Sequence, residues 1–119
     1  MLPEPEAPFP VDEFSVVLLQ EGRRRAAYEP AEIQRLLNEH LRFNLGLAAD
    51  GRLLTAGAVI DPGPGPRCTG LGFSRLAASE LGELIAQDPS VQAGVESYRI
   101  GRFITPKGSV LFPSERRSA

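Results

Sequence analysis

FSVVLLQ, Phe14 to Gln20, is the stretch on which the fold turns. Alternation along a strand puts Phe14, Val16 and Leu18 on one face, and Val17 and Leu19 make the other face almost equally apolar. A strand of this kind needs cover on both sides, so it belongs inside a layered domain rather than at its edge. Glu21 to Tyr28 reads as a polar loop. From Pro30 to about Ala49 the period changes to that of a helix, with Pro30 in the first turn and Glu32 placed to suit the positive end of the helix dipole. Ile33, Leu36, Leu37, Leu41, Leu45 and Ala48 make the apolar stripe, while Arg35, Asn38, Glu39 and Arg42 occupy the opposite face. Arg35 and Glu39 stand one turn apart, where a solvated pair contributes roughly 0.2 to 0.5 kcal/mol.

Gly51 supplies the stop expected after that helix. Arg52 to Ile60 predicts a second strand, Asp61 to Arg67 (DPGPGPR) a turn, and Thr69 to Ser74 a third strand closing a hairpin. Leu81, Leu84 and Ile85 recur at helical spacing between Ala77 and Gln87, and Pro89 prevents uninterrupted continuation past Asp88. Val95 to Thr105, rich in β-branched and aromatic residues, is the last strand, broken by Pro106 and Gly108. The order β-α-β-β-α-β, with right-handed crossovers, implies an α+β ferredoxin-like domain: a four-stranded antiparallel sheet with two helices on one face. The other face would lie bare, yet the first strand is apolar there too, so a homodimer packed sheet to sheet is expected.

The domain runs over residues 14–106. Before it, residues 1–13 hold four prolines and four acidic residues and read as a flexible leader. After it, residues 107–119 read as a tail, in which Val110 to Phe112 is expected to dock on the body or on the partner and SERRSA to be mobile.

With 119 residues, 42% hydrophobic and 24% charged, the chain has room for one core and lacks the signature of disorder. A net charge of -2 offers no global positive field for nucleic acid or anionic lipid. The lone Cys68 rules out an intrachain disulfide framework and a multi-cysteine zinc site. No apolar run approaches the roughly 20 residues of a membrane span, and the start lacks the regions of a signal peptide, so a cytoplasmic location is expected, with neither nucleic acid nor membrane as partner.

His40 is the sole histidine, and Leu37, Leu36 and Ile33 lie three, four and seven residues before it, so it points inward. Asn44, one turn on, extends a short polar row along a face that otherwise reads as buried. An imidazole with a pKa near 6.5 exchanges protons at neutral pH once a second group fixes its tautomer. The alternative is a core histidine bonded to a backbone carbonyl. Asp88, at the end of the second helix, is poorly placed for the helix dipole and needs compensation from elsewhere; alternatively, Asp88-Pro89 only ends that helix and opens a short turn. Arg23, Arg24 and Arg25 could reach an anionic substrate but read more simply as a solvated loop. No nucleophile motif is present, and the Gly63/Gly65 turn is not a phosphate loop because prolines interleave its glycines and a strand follows.

The strand FSVVLLQ, the helical His40-Leu41, DGRLLTAGAV and the stretch DPSVQAG together resemble the YciI-like (YCII-related) family, over about Phe14 to Pro106. Departures are Ala58, where many relatives carry proline after the glycine that is Gly57 here, and the extended leader. The resemblance implies a dimeric α+β barrel with a histidine and aspartate site, matched by His40 and Asp88. It implies proton-transfer chemistry without cofactor or metal, of the kind seen in dehydrochlorination of a hydroxylated ring or lactone isomerisation. The expected function is thus a lyase or isomerase acting on a small cyclic or carboxylated molecule, with His40 as acid-base, Asp88 as its orienter and Asn44 touching substrate. The other reading is a non-catalytic dimeric protein that binds a small ligand or a partner and keeps the pair as a structural hydrogen bond.

Overall fold

A computed structural model describes residues 7–65 and 67–112. Along the chain run β1 (Val11–Glu21), α1 (Pro30–Ala49), β2 (Thr55–Ala58), β3 (Cys68–Ser74), α2 (Ala78–Ile85), α3 (Pro89–Gln92) and β4 (Glu96–Pro106), with a short 3-10 turn at Arg25–Ala27 ahead of α1. The strands form one antiparallel sheet in the order β2-β3-β1-β4, which is the ferredoxin-like α+β arrangement. β1 sits between β3 and β4, as its two apolar faces require.

On the helical side, Val17 and Leu19 of β1 pack with Leu47 of α1, Leu53, and Leu81 and Ile85 of α2, while Tyr98 and Ile100 of β4 close the same core. Burying each such side chain contributes about 1.5 to 3 kcal/mol. The opposite face departs from expectation, for it is not bare. Phe112 folds back so that its ring meets Phe14 edge-on at 5.2 Å and lies 5.7 Å from Phe73, and the Arg75 guanidinium stands 4.7 Å above the Phe14 ring. Phe14, Val16 and Phe112 are buried as a result. Phe103, packed on Phe73 at 5.3 Å, keeps more than a third of its surface exposed, so the cover is partial. Of the VLF segment, Phe112 thus docks on the body while Leu111 stays exposed; SERRSA lies outside the described residues.

The leader is shorter than its composition implies. Val11, Asp12 and Glu13 pair with Pro106, Thr105 and Ile104, and the Asp12 carboxylate accepts a hydrogen bond from the Gly108 amide. A long β4 supplies backbone partners that outweigh local composition. Residues 1–6 of the expected leader lie outside the described residues. β2 is shorter than predicted because the amides of Arg52 and Leu53 close the end of α1 on the Leu47 carbonyl, with Gly51 at φ +82 making the turn. The Pro/Gly turn is clamped by Asp61, which accepts from the amides of Gly63 and Cys68.

Candidate active site

α1 carries two apolar stripes rather than one. Leu36, His40 and Leu47 are buried with Phe43 beside them, whereas Leu41 and Leu45 are 57% and 69% exposed. The expected stripe through Leu41, Leu45 and Ala48 therefore does not face the core. Both stripes fit a 3.6-residue period, offset by one residue, so periodicity alone cannot choose between them. His40 lies on the buried one, between Leu36 and Leu47, of which Leu47 packs against Val17 and Leu19 of the sheet.

Asp88 is delivered by the junction of α2 and α3. α2 ends at Ile85, Pro89 opens α3, and Asp88 caps α3 with its Oδ1 accepting from the Ser90 amide at 2.9 Å. The reading of Asp88-Pro89 as a mere helix stop and turn misses this geometry. Capping leaves Oδ2 aimed at α1, where it accepts a hydrogen bond from His40 Nδ1. On the far side of the ring, Asn44 Nδ2 stands 3.3 Å from His40 Nε2. In that arrangement the neutral ring carries its proton on Nδ1, shared with Asp88, and presents a lone pair on Nε2.

A second carboxylate, not anticipated from sequence, completes the cluster. Glu96 at the start of β4 is buried; its Oε2 accepts from Thr69 Oγ1 at 2.7 Å, and its Oε1 lies 2.8 Å from Ser90 Oγ and 3.5 Å from His40 Nδ1. Ser90 Oγ also lies 2.9 Å from Asp88 Oδ1. The available signal was the parity of β4, since Glu96, Tyr98 and Ile100 share one face and two of them are core residues. Ser90 carried no comparable mark.

One nitrogen and two carboxylate oxygens from His40, Asp88 and Glu96 lie within 4.8 Å of one another, the donor chemistry of a small cation site. In this structure the same atoms contact one another and Ser90 and Thr69, which makes the arrangement a buried hydrogen-bonded network. Burial pulls the His40 pKa down, but the Asp88 hydrogen bond and the negative charges of Glu96 and Asp88 outweigh it. The net result is a pKa raised above the ordinary histidine value.

The void beside the pair, about 10 Å³ among His40, Asn44, Ile85 and Asp88, holds at most one water. A larger groove of about 730 Å³ lies outside it, between α1 and the β2–β3 hairpin, with His40, Asn44 and Glu96 along its lining. Its apolar wall comes from Leu37, Leu41 and Leu45 on one side and Val59 and Ile60 on the other. Of the basic run, Arg25 lines this groove and lies 3.6 Å from Glu21, and Arg23 is exposed. Cys68 and Arg67 also line it, as do Gly57 and Ala58, which places the Ala58 departure on the groove's edge.

The profile of the YCII-related domain matches residues 15–104, well over half of the chain. The chain belongs to the YCII-related family. A search of curated proteins returns no match to this YCII-related chain. Among solved structures it is similar to the 5-chloro-2-hydroxyhydroquinone dehydrochlorinase of Burkholderia phenoliruptrix in complex with 2,5-dihydroxybenzoquinone, at 20% identity and a TM-score of 0.43, over 74% of this chain and 92% of that one. Among the described residues, no helix of the YCII-related chain is long and apolar enough to cross a membrane.

Proposed function

We propose that this chain is a cofactor-independent enzyme of the lyase or isomerase type, using His40 and Asp88 to move a proton on a small cyclic or carboxylated organic molecule bound in the groove beside α1. One observation carries the reading: Nδ1 of the imidazole is held by Asp88 while Nε2 is directed toward the side lined by Asn44 and the groove. That is the geometry a general base requires. His40 Nε2 takes a proton from the substrate, Asp88 stabilises the imidazolium, and the electron pair left behind either expels a leaving group such as chloride or returns with the proton to another atom. The first outcome is elimination and the second isomerisation; neither consumes an oxidant or reductant. In the reaction Asn44 turns the amide that faces Nε2 at 3.3 Å to an oxygen of the substrate, which frees the Nε2 lone pair to act as the base.

The groove supports a small-molecule ligand, because its volume falls in the usual range of ligand clefts and its walls are apolar with a few convergent polar groups. A homodimer is part of this proposal, supported by the exposed Phe103 on the partly covered sheet face. The test is a thermal-shift screen with chlorinated hydroquinones, small aromatic acids and lactones, followed by chloride release and product analysis on the compounds that bind. Turnover by the wild type that is lost in His40→Gln, with binding retained, is the expected result. Binding without turnover of any bound compound would leave a ligand-binding protein and end the enzyme reading.

A further inference from the structure

Ser90 is the unusual member of the cluster, because its hydroxyl has one proton and two carboxylate oxygens within reach, Asp88 Oδ1 at 2.9 Å and Glu96 Oε1 at 2.8 Å. Donating to one leaves the other oxygen facing a hydroxyl lone pair. Three groups that are almost wholly buried, Asp88, Ser90 and Glu96, are thus packed with more acceptors than protons. The Nδ1 proton of His40 faces Asp88 in either charge state, so what the imidazolium adds is positive charge beside two buried carboxylates, in contact with Asp88 and 3.5 Å from Glu96.

We infer that Glu96 is a positioning residue for His40, a second buried carboxylate that holds the protonated ring in place and is coupled to Asp88 through the hydroxyl of Ser90. The inference rests on the proton-transfer reading of the site and adds a residue to it. Thr69 fixes Glu96 from the other side at 2.7 Å, so that the carboxylate keeps its orientation through the proton cycle. Asp88 reaches His40 from the start of α3 and Glu96 from the start of β4; around the groove stand Glu21 and Arg25 near the end of β1 and Asp61 and Arg67 of the hairpin. Of these, only Asp88 and Glu96 approach the ring within ion-pair distance among the described contacts. A residue with a purely structural duty at this point would join β4 to α3 and β3 equally well as an amide.

Glu96→Gln provides that comparison, since its amide accepts from Thr69 and donates to Ser90 while removing the charge. His40 is followed by NMR titration of its imidazole resonances in wild type, Glu96→Gln and Asp88→Asn. The expected result is a lower titration midpoint in both variants. An unmoved midpoint in Glu96→Gln beside a lowered one in Asp88→Asn would overturn the role of Glu96 and leave the His40–Asp88 reading standing; unmoved midpoints in both would remove that reading as well. Wild-type protein gives a second measurement that does not depend on a variant folding. The side-chain carboxyl carbon of Glu96 should show an inflection at the His40 midpoint, and its absence would count against the coupling on its own.

Discussion

Ser90 meets the Oδ1 oxygen of Asp88 twice, with its amide and with its hydroxyl, each at 2.9 Å, and so leaves Oδ2 to His40. Capping α3 and orienting an imidazole are one conformational decision for Asp88, because the rotamer that satisfies the helix end aims the second oxygen at α1.

Asp88→Asn and Asp88→Ala should therefore separate. Asparagine caps a helix as well as aspartate does, so Asp88→Asn is expected to stay folded, while its amide nitrogen donates to His40 Nδ1 and moves the neutral ring's proton to Nε2. Alanine loses the cap and strands buried partners, and it should cost about 2 to 4 kcal/mol in urea unfolding. Long-range nitrogen spectra of the single histidine read the tautomer directly. An unchanged Nδ1-H form in Asp88→Asn would contradict the proposed orienting role.

Gly22 holds the start of β4 against the end of β1. Its amide donates to the Val95 carbonyl at 2.8 Å, and a β-carbon there would sit 2.2 Å from the Gly94 carbonyl oxygen. Backbone must shift to admit it. Gly22→Ala is expected to cost more than about 2 kcal/mol, in line with overpacking of a tight contact, and to disturb the resonances of neighbouring Glu96. A change within about 0.5 kcal/mol, the range of an inert surface substitution, would mean that the loop gives way freely.

The element order was legible because FSVVLLQ, the Pro30 start, the Pro/Gly turn and the Asp88-Pro89 break are local signals of period and punctuation. His40 was legible as an inward polar residue from its spacing to Leu36 and Ile33. What stayed hidden depends on contacts across the sheet. Glu96 looked like one acid in an ordinary strand until β4 was registered against β1, with Glu21 opposite it, and until Ser90 was folded beneath. The offset between the stripe of Leu36 and Leu47 and that of Leu37 and Leu41 is one residue, and only packing decides which of them is buried. The apolar run Val110 to Phe112 marks a docking segment, but which residue docks and which face it covers are fixed by long-range rings, Phe14 and Phe73, that local pattern cannot place.

The proposed dimer is expected to use that face. Light scattering at micromolar concentration should give about twice 12.9 kDa. Phe103→Asp places a charge on a ring that is already partly exposed, so it should yield a folded monomer at a cost of about 0.5 to 1.5 kcal/mol from the lost contact with Phe73. A wild-type monomer, or a Phe103→Asp dimer as tight as wild type, would remove this surface from consideration.

The last prediction concerns stability as a function of pH. The His40 pKa is raised in the folded state relative to the unfolded value of about 6.5, since the Asp88 hydrogen bond and the two carboxylate charges outweigh burial. A group of this sign binds its proton more tightly when folded. Its contribution is fully present below the unfolded value and is lost as pH climbs from there through the folded one. Glu13, Asp50 and Asp61 are shifted the opposite way, with lowered pKa values, so their contributions disappear at acid pH, in a separate window. Urea unfolding between about pH 6 and 9 should therefore show wild-type stability falling as pH rises, with a slope from this one group no steeper than about 1.4 kcal/mol per pH unit. Asp88→Asn should show a weaker fall, because the largest favourable contact of the imidazolium is gone. Stability that rises through this window, or that falls equally in the variant, would mean that the pair does not hold its proton in the folded state, and His40 would then be a buried histidine with no acid-base duty.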